Sequence, residues 1–144
     1  MSTPSAYPDI EALLPHRGRM LLIDEIVRID GDGAVSKATP DTAWPLSNGS
    51  RVSPLMIVEL VAQTSGLNNG LERLNTEGRE AEVKGWLVGV KKALFHVRTI
   101  PLGAEIITET RNSFKFEGFR EIKGFSKIGD TIIGEAVIQV VRAD

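Results

Sequence analysis

A single carboxylate, Glu59, stands in the most apolar stretch of the chain. The other residues from 55 to 62 are all hydrophobic, and a helix that is apolar on every side is normally buried. Burying an ionised carboxylate is costly unless the group is paired, hydrogen-bonded or neutral. Because burial also raises the pKa of a carboxyl group, Glu59 is predicted to exchange protons near neutral pH. Glu59 is therefore the first candidate for a catalytic residue.

Few other side chains are suited to acid–base or metal chemistry. The 144 residues contain two histidines, His16 and His96, and no cysteine, which excludes disulfides, cysteine-ligated zinc and a thiol nucleophile. We therefore predict no metal site, and no cofactor is implied. The net charge of −2 argues against a nucleic-acid binder. Because no signal peptide and no membrane-length apolar run is visible, a cytoplasmic protein is expected.

One long helix is predicted to carry Glu59. Ser53 is a good N-cap and Pro54 suits the first helical position, so the helix should begin there and run to about Leu74. Gly66 and Gly70 within it lower the helix propensity but permit close approach of a packed neighbour.

Six strands are predicted around this helix, two before it and four after it. Each is rich in alternating or β-branched residues and is bounded by turn residues. They cover residues 20–29, 34–39, 85–98, 104–116, 119–127 and 131–142, with a short helix over 9–14 and loops over 40–53 and 75–82. This order predicts an α+β fold in one domain, 1–144, with an antiparallel sheet wrapped around one central helix. A homodimer would cover the sheet edges and the remaining helix face.

Three motifs, in this order, resemble those of bacterial (3R)-hydroxyacyl-ACP dehydratases, which have the hotdog fold. Residues 14–24, LPHRGRMLLID, resemble the opening motif of that family. Residues 59–63, ELVAQ, resemble the ExxAQ motif of its central helix. Residues 89–95, GVKKALF, and 101–103, PLG, resemble the next strand and its turn. The subgroup found with aryl-polyene biosynthesis is similar in having an altered helix opening.

The resemblance implies a dimer that interconverts 3-hydroxyacyl and trans-2-enoyl thioesters carried by acyl carrier protein or CoA, with Glu59 as a catalytic residue. The second catalytic group of the family, a loop His, has no counterpart here. Its position falls on Pro45, or on Trp44 after a slip of one residue. The family's Gly, whose amide contacts the thioester, corresponds to Pro54, which has no N–H. An amide of residue 55 or 56 would have to replace it.

Substrate contacts are predicted for Trp44, Pro54, Leu55, Gln63 and Gly89. Trp44 is interpreted either as a core residue or as a wall of an acyl pocket. Gln63 lies one helical turn after Glu59, where it either orients the carboxylate or substrate or only satisfies its own amide. The resemblance implies that the His of the LPHR motif positions the fold, and the strand His is interpreted as packed or solvated.

Three functions remain open from the sequence. The first is a 3-hydroxyacyl thioester dehydratase or hydratase that uses Glu59 with an unconventional partner. The second is a hotdog acyl thioesterase with Glu59 as base or nucleophile. The third is a non-catalytic subunit or acyl-binding module that pairs with an active paralogue, which supplies the His.

Overall fold

A computed structural model describes residues 7–78 and 86–141. The sequence predictions for residues 1–6, 79–85 and 142–144 lie outside these ranges, including parts of the predicted loop at 75–82 and of two predicted strands. The helices are α1 (Ile10–Leu13) and α2 (Met56–Glu77), and a 3-10 turn spans Gly18–Met20. The strands are β1 (Glu25–Ile29), β2 (Gly33–Ala38), β3 (Arg51–Val52), β4 (Trp86–Phe95), β5 (Ile100–Pro101), β6 (Ile106–Phe116), β7 (Phe119–Ile128) and β8 (Thr131–Val141).

The central helix begins at Met56, two residues later than predicted, because residues 54 and 55 form a tight turn. The Ser53 hydroxyl accepts the backbone N–H of Leu55 at 3.2 Å, and the Ser53 carbonyl accepts that of Met56 at 3.1 Å. α2 continues to Glu77, beyond the predicted end, so residues 75–77 are helical rather than loop. It stops at Gly78, whose φ of 89° suits a residue without a Cβ.

Six strands form one antiparallel sheet in the order β1–β2–β6–β7–β8–β4. The predicted alternation on β6 is confirmed, since Ile106, Thr108 and Thr110 are buried while the residues between them are not. β3 and β5 form a separate two-stranded sheet. Predicting only loop over 40–53 was therefore wrong, because a two-residue strand is too short to show a periodic pattern.

The first strand is shorter than predicted. Residues 20–24 do not belong to it, and β1 starts at Glu25. Near its start, the backbone N–H of Leu22 donates to the side chain of Gln63 on α2 at 3.0 Å. This segment is therefore tied to the helix before it joins the sheet.

α2 packs on the inner face of the sheet. Its buried residues Ile57, Leu60 and Val61 belong to the main hydrophobic cluster, together with Ile106, Ile122 and Ile138 from the strands. A second cluster joins α1 to α2 and contains Leu13, Leu14 and Leu67. The arrangement is the predicted α+β fold, an antiparallel sheet around one long helix, and that prediction is confirmed.

β4 lies at one edge of the sheet. It pairs with β8 on one side, and no other strand of the described chain pairs with its opposite side. Several large apolar side chains on it are exposed, namely Leu87, Val88, Val90 and Leu94. An unpaired apolar edge of this length is a template for a further strand.

Candidate active site

The structure brings Glu59 into contact with a histidine from another part of the chain. The Nε2 atom of His16 lies 3.2 Å from Oε1 of Glu59, and both side chains are 28% exposed. Nδ1 of His16 is buried without a hydrogen-bond partner among the described residues. An imidazole and a carboxylate at this distance can share and transfer a proton.

The surroundings of Glu59 keep it ionised. Burial raises the pKa of the carboxyl group, but hydrogen bonds from His16 and Gln63 and the charge of His16 lower it by more. The net pKa lies below the ordinary value of 4.5. The prediction that burial would bring this pKa towards neutrality was therefore wrong, because the residues that bond to the carboxylate were not visible in the local sequence. At neutral pH Glu59 is a carboxylate ready to accept a proton.

Gln63 holds Glu59 in place and joins α2 to the segment before β1. Its Nε2 atom donates to Oε1 of Glu59 at 2.9 Å and to the carbonyl of Met20 at 2.7 Å. Its Oε1 atom accepts the backbone N–H of Leu22 at 3.0 Å. The Gln63 side chain is fully buried, at 0% exposure; its bond to Leu22 is buried, and those to Met20 and Glu59 are partly buried. Gln63 therefore orients the carboxylate, one of the two roles considered from the sequence.

Two glycines let the segment that carries His16 lie against α2. A Cβ added at Gly70 would stand 2.4 Å from the carbonyl oxygen of Leu13, and one at Gly66 would stand 2.5 Å from Cδ2 of Leu14. A larger residue at position 70 would push the backbone of the two segments apart, and one at position 66 would displace the Leu14 side chain. The close approach predicted for these glycines is confirmed.

The Glu59–His16 pair opens onto a groove of about 220 Å³. α2 forms its floor, the segment after α1 forms one wall, and the ends of β4, β7 and β8 form the other. The lining includes Leu14, His16, Glu59, Ala62, Asn69 and Val140. Oε2 of Glu59 makes no hydrogen bond within the described residues, which leaves it available to a ligand in this groove.

None of the five residues predicted to contact substrate lines this groove, since Gln63 is fully buried beneath Glu59 and the other four lie elsewhere. Trp44 is 6% exposed and packs in the main core with Met56, so its role as a core residue is the one that the structure supports. Leu55 is exposed at the start of α2, and Pro54 precedes it. Gly89 lies on β4, beside Gln139 of β8. Neither the helix start nor the middle of β4 meets the groove in this chain.

The start of α2 does not offer a free amide to a thioester carbonyl. Pro54 has no N–H. The amides of Leu55 and Met56, which the sequence offers as replacements, both donate to Ser53. The expected donor is therefore absent from the helix start of the isolated chain.

His16 is the functional candidate that sequence reasoning placed elsewhere. The resemblance gives its motif a fold-positioning role, and His16 lies 43 residues before Glu59 in the sequence (59 − 16). Only the docking of the LPHR segment on α2 brings the two side chains together. One signal in the sequence could have indicated the contact. A buried carboxylate needs a partner, and the chain has only two histidines to offer. His96, the other, is not part of the groove.

No group of three or more His, Cys, Asp or Glu side chains in residues 7–78 and 86–141 is arranged to hold a metal ion. Within the same residues, no helix is both long and apolar enough to span a bilayer.

An antiparallel sheet wrapped around one long helix defines a hotdog-fold protein, and here a His–Glu contact lies beside that helix. Comparison with known families agrees. The family model described as ApeP dehydratase, ApeP-like, matches residues 8–144. The chain belongs to the ApeP-like dehydratase family.

Relatives and solved structures point the same way. The 3-hydroxyacyl-(acyl-carrier-protein) dehydratase FabZ of Caldanaerobacter subterraneus subsp. tengcongensis is 28% identical over 142 residues, which cover 94% of this chain and 96% of that protein. The FabZ of Streptococcus uberis is 34% identical over 110 residues, covering 71% and 73%. The structure of the dehydratase heterocomplex ApeI:P from Xenorhabdus doucetiae matches with a TM-score of 0.85 at 19% identity, covering 96% of this chain and 93% of that one. The resemblance to hotdog dehydratases is confirmed.

Proposed function

We propose that this protein dehydrates 3-hydroxyacyl thioesters, with Glu59 as general base and His16 as general acid. The observation that carries the proposal is the 3.2 Å contact between His16 Nε2 and Glu59 Oε1 at the mouth of a groove. Oε2 of Glu59, which accepts no hydrogen bond from the part of the chain that the structure describes, is the atom suited to accept the substrate proton. At neutral pH Glu59 is ionised, as a base must be, although its lowered pKa makes it a weaker base than an ordinary carboxylate.

The two groups match the geometry of the reaction. The base removes the proton from carbon 2, the C2–C3 double bond forms, and the C3–O bond breaks. The hydroxide leaves as water with a proton from the His16 imidazolium. Glu59 ends protonated and His16 neutral, so a proton passed from Glu59 to His16 restores the pair. Because the departing groups are on adjacent carbons, a base and an acid 3.2 Å apart reach both from the same face.

The electron pair left at carbon 2 must be delocalised onto the thioester carbonyl, which requires a hydrogen-bond donor. The start of α2 does not supply one here, because its amides are bonded to Ser53. We propose that a second chain supplies it. The apolar edge of β4, which includes Leu87 from the groove wall, is the surface on which that chain would pair.

The second chain is either another copy of this protein or a dehydratase-like paralogue. The matching Xenorhabdus structure is a heterocomplex, which supports pairing with a paralogue. The FabZ relatives are named for substrates on acyl carrier protein, and we propose the same kind of carrier here. The substrate is then an acyl thioester whose reacting carbons enter the groove from its open side.

The test follows two products at once. Purified protein, alone and co-expressed with a hotdog paralogue, is incubated with 3-hydroxyacyl thioesters while enoyl absorbance and free thiol are recorded. Enoyl product without thiol is expected, with a loss of about 100- to 10,000-fold in Glu59→Gln. Glu135→Gln, on the outer face of the sheet, is the matched control and should retain activity.

Other outcomes separate the alternatives. Thiol release that depends on Glu59 would identify a thioesterase. Equal inertness of wild type and Glu59→Gln in both preparations would reject both enzymatic functions and leave a non-catalytic subunit. Full activity of His16→Asn would remove His16 from the mechanism.

A further inference from the structure

Arg17 follows His16 directly and uses its guanidinium on the backbone of its own segment. Nη1 donates to the carbonyl oxygens of Leu14 and His16, both at 2.7 Å. Nη2 donates to the carbonyl of Glu11 at 2.9 Å. One side chain thus joins α1, the residue before Pro15, and His16 itself.

These bonds fix the backbone that carries the imidazole. Leu14 is extended, with φ −119° and ψ 145°, as expected of a residue that precedes a proline. The chain therefore leaves α1 abruptly at Leu14 and turns at Pro15 towards α2. A planar guanidinium has donors in a fixed arrangement, so three carbonyls bound to it cannot move independently.

The opposite side of the same segment is held by the central helix. Leu13 and Leu14 are each about 1% exposed, and they rest on Gly70 and Gly66 without room for a Cβ between them. α2 also carries Glu59. The distance between His16 and Glu59 is therefore constrained twice. The three Arg17 hydrogen bonds, which form the Arg17 clamp, fix one side of the segment, and its contacts with the two glycines fix the other.

We propose that Arg17 is a positioning residue, whose clamp on the LPHR segment holds the His16 imidazole at hydrogen-bond distance from Glu59. The inference rests on the proposed function only for its effect on catalysis. The geometric part, that Arg17 controls the His16–Glu59 contact, stands without any activity.

The experiment compares Arg17→Gln and Arg17→Lys with Arg19→Gln. Arg19 is exposed in the same segment and makes no side-chain hydrogen bond within the described residues, so Arg19→Gln is the matched control. With 13C-labelled glutamate, the titration of Glu59 is followed by NMR and assigned with Glu59→Gln. Turnover is measured on a small 3-hydroxybutanoyl thioester of N-acetylcysteamine, with the partner chain present where wild type requires it.

When the clamp is lost, His16 withdraws from Glu59, and the carboxyl pKa is expected to rise towards its ordinary value. The kcat should fall about 10- to 100-fold, since misplacing a catalytic group by about 1 Å costs up to that much, while KM changes little. Arg17→Lys should behave like Arg17→Gln, because an ammonium group cannot bind three carbonyls in the guanidinium geometry. Arg19→Gln should match wild type.

An unchanged Glu59 titration in Arg17→Gln would overturn the proposal, even if the variant were less stable to heat. Wild-type behaviour of Arg17→Lys would also overturn it, since charge alone would then suffice. Gly70→Ala provides an independent displacement of the same segment and should raise the pKa of Glu59 as well. If wild type has no dehydratase activity, the proposed function fails, while the titrations still decide the role of Arg17.

Discussion

The buried amide of Gln63 permits a prediction whose size follows from its contacts. In Gln63→Leu the shape is nearly kept, but the three hydrogen bonds to Met20, Leu22 and Glu59 are lost. Leu22 is 1% exposed, so its N–H would remain buried without a partner, at a cost of about 1–3 kcal/mol. The Met20 carbonyl belongs to an exposed residue and can turn to water, so it adds less. The added apolar contact of Leu offsets part of the loss, and we expect destabilisation of about 2–3 kcal/mol.

The assay is urea unfolding at pH 7, with free energies from linear extrapolation at matched protein concentration. Gln139→Leu is the control, because the half-buried Gln139 side chain makes one long hydrogen bond among residues 7–78 and 86–141, 3.5 Å to Glu121. It should change stability by no more than about 0.5 kcal/mol. The prediction is contradicted if both variants lose the same free energy of unfolding, or if Gln63→Leu loses less than about 1 kcal/mol. Gln63 would then not hold α2 to the segment before β1.

Three further predictions concern Glu59, Trp44 and Val88. Because the pKa of Glu59 is lowered on folding, its contribution to stability is present above pH 4.5, its ordinary pKa, and is lost as the pH falls through the folded value. The stability advantage of wild type over Glu59→Gln in urea should therefore shrink on acidification. Trp44→Ala should cost about 3–5 kcal/mol in the same assay, since it empties a core site. Val88→Lys should lower the mass measured by light scattering, because Val88 is exposed on the β4 edge where a second chain is proposed to pair.

Each of these has an outcome that contradicts it. An advantage of wild type over Glu59→Gln that grows on acidification would mean that the pKa of Glu59 is raised, not lowered. A loss below about 1 kcal/mol in Trp44→Ala would show that Trp44 is not a packed core residue. For the oligomer, Phe116→Lys is the control, since Phe116 is exposed at the tip of the β6–β7 turn. Equal dissociation of both variants would reject β4 as the pairing edge.

The long elements of the fold were predictable because their periodicity is strong. The alternation in β6 runs from Ile106 to Arg111, and Ser53–Pro54 predicts the start of α2 to within two residues. The two-residue strands β3 and β5 were not predictable, because a strand of that length leaves no pattern in the sequence. The end of α2 was also misplaced, since the helix continues through the exposed, polar residues 75–77 and stops only at Gly78, where φ is 89°.

The sequence alone determined that Glu59 sits in an apolar stretch, that Trp44 and Pro45 stand in the loop before it, and that Pro54 has no amide N–H. These are properties of residue types and of local spacing. The tertiary structure decided the partners of Glu59. His16 reaches it only because the LPHR segment docks on Gly66 and Gly70. The pKa of the carboxyl group then falls rather than rises, because charge and hydrogen bonds from distant parts of the chain outweigh the desolvation that the local sequence implies.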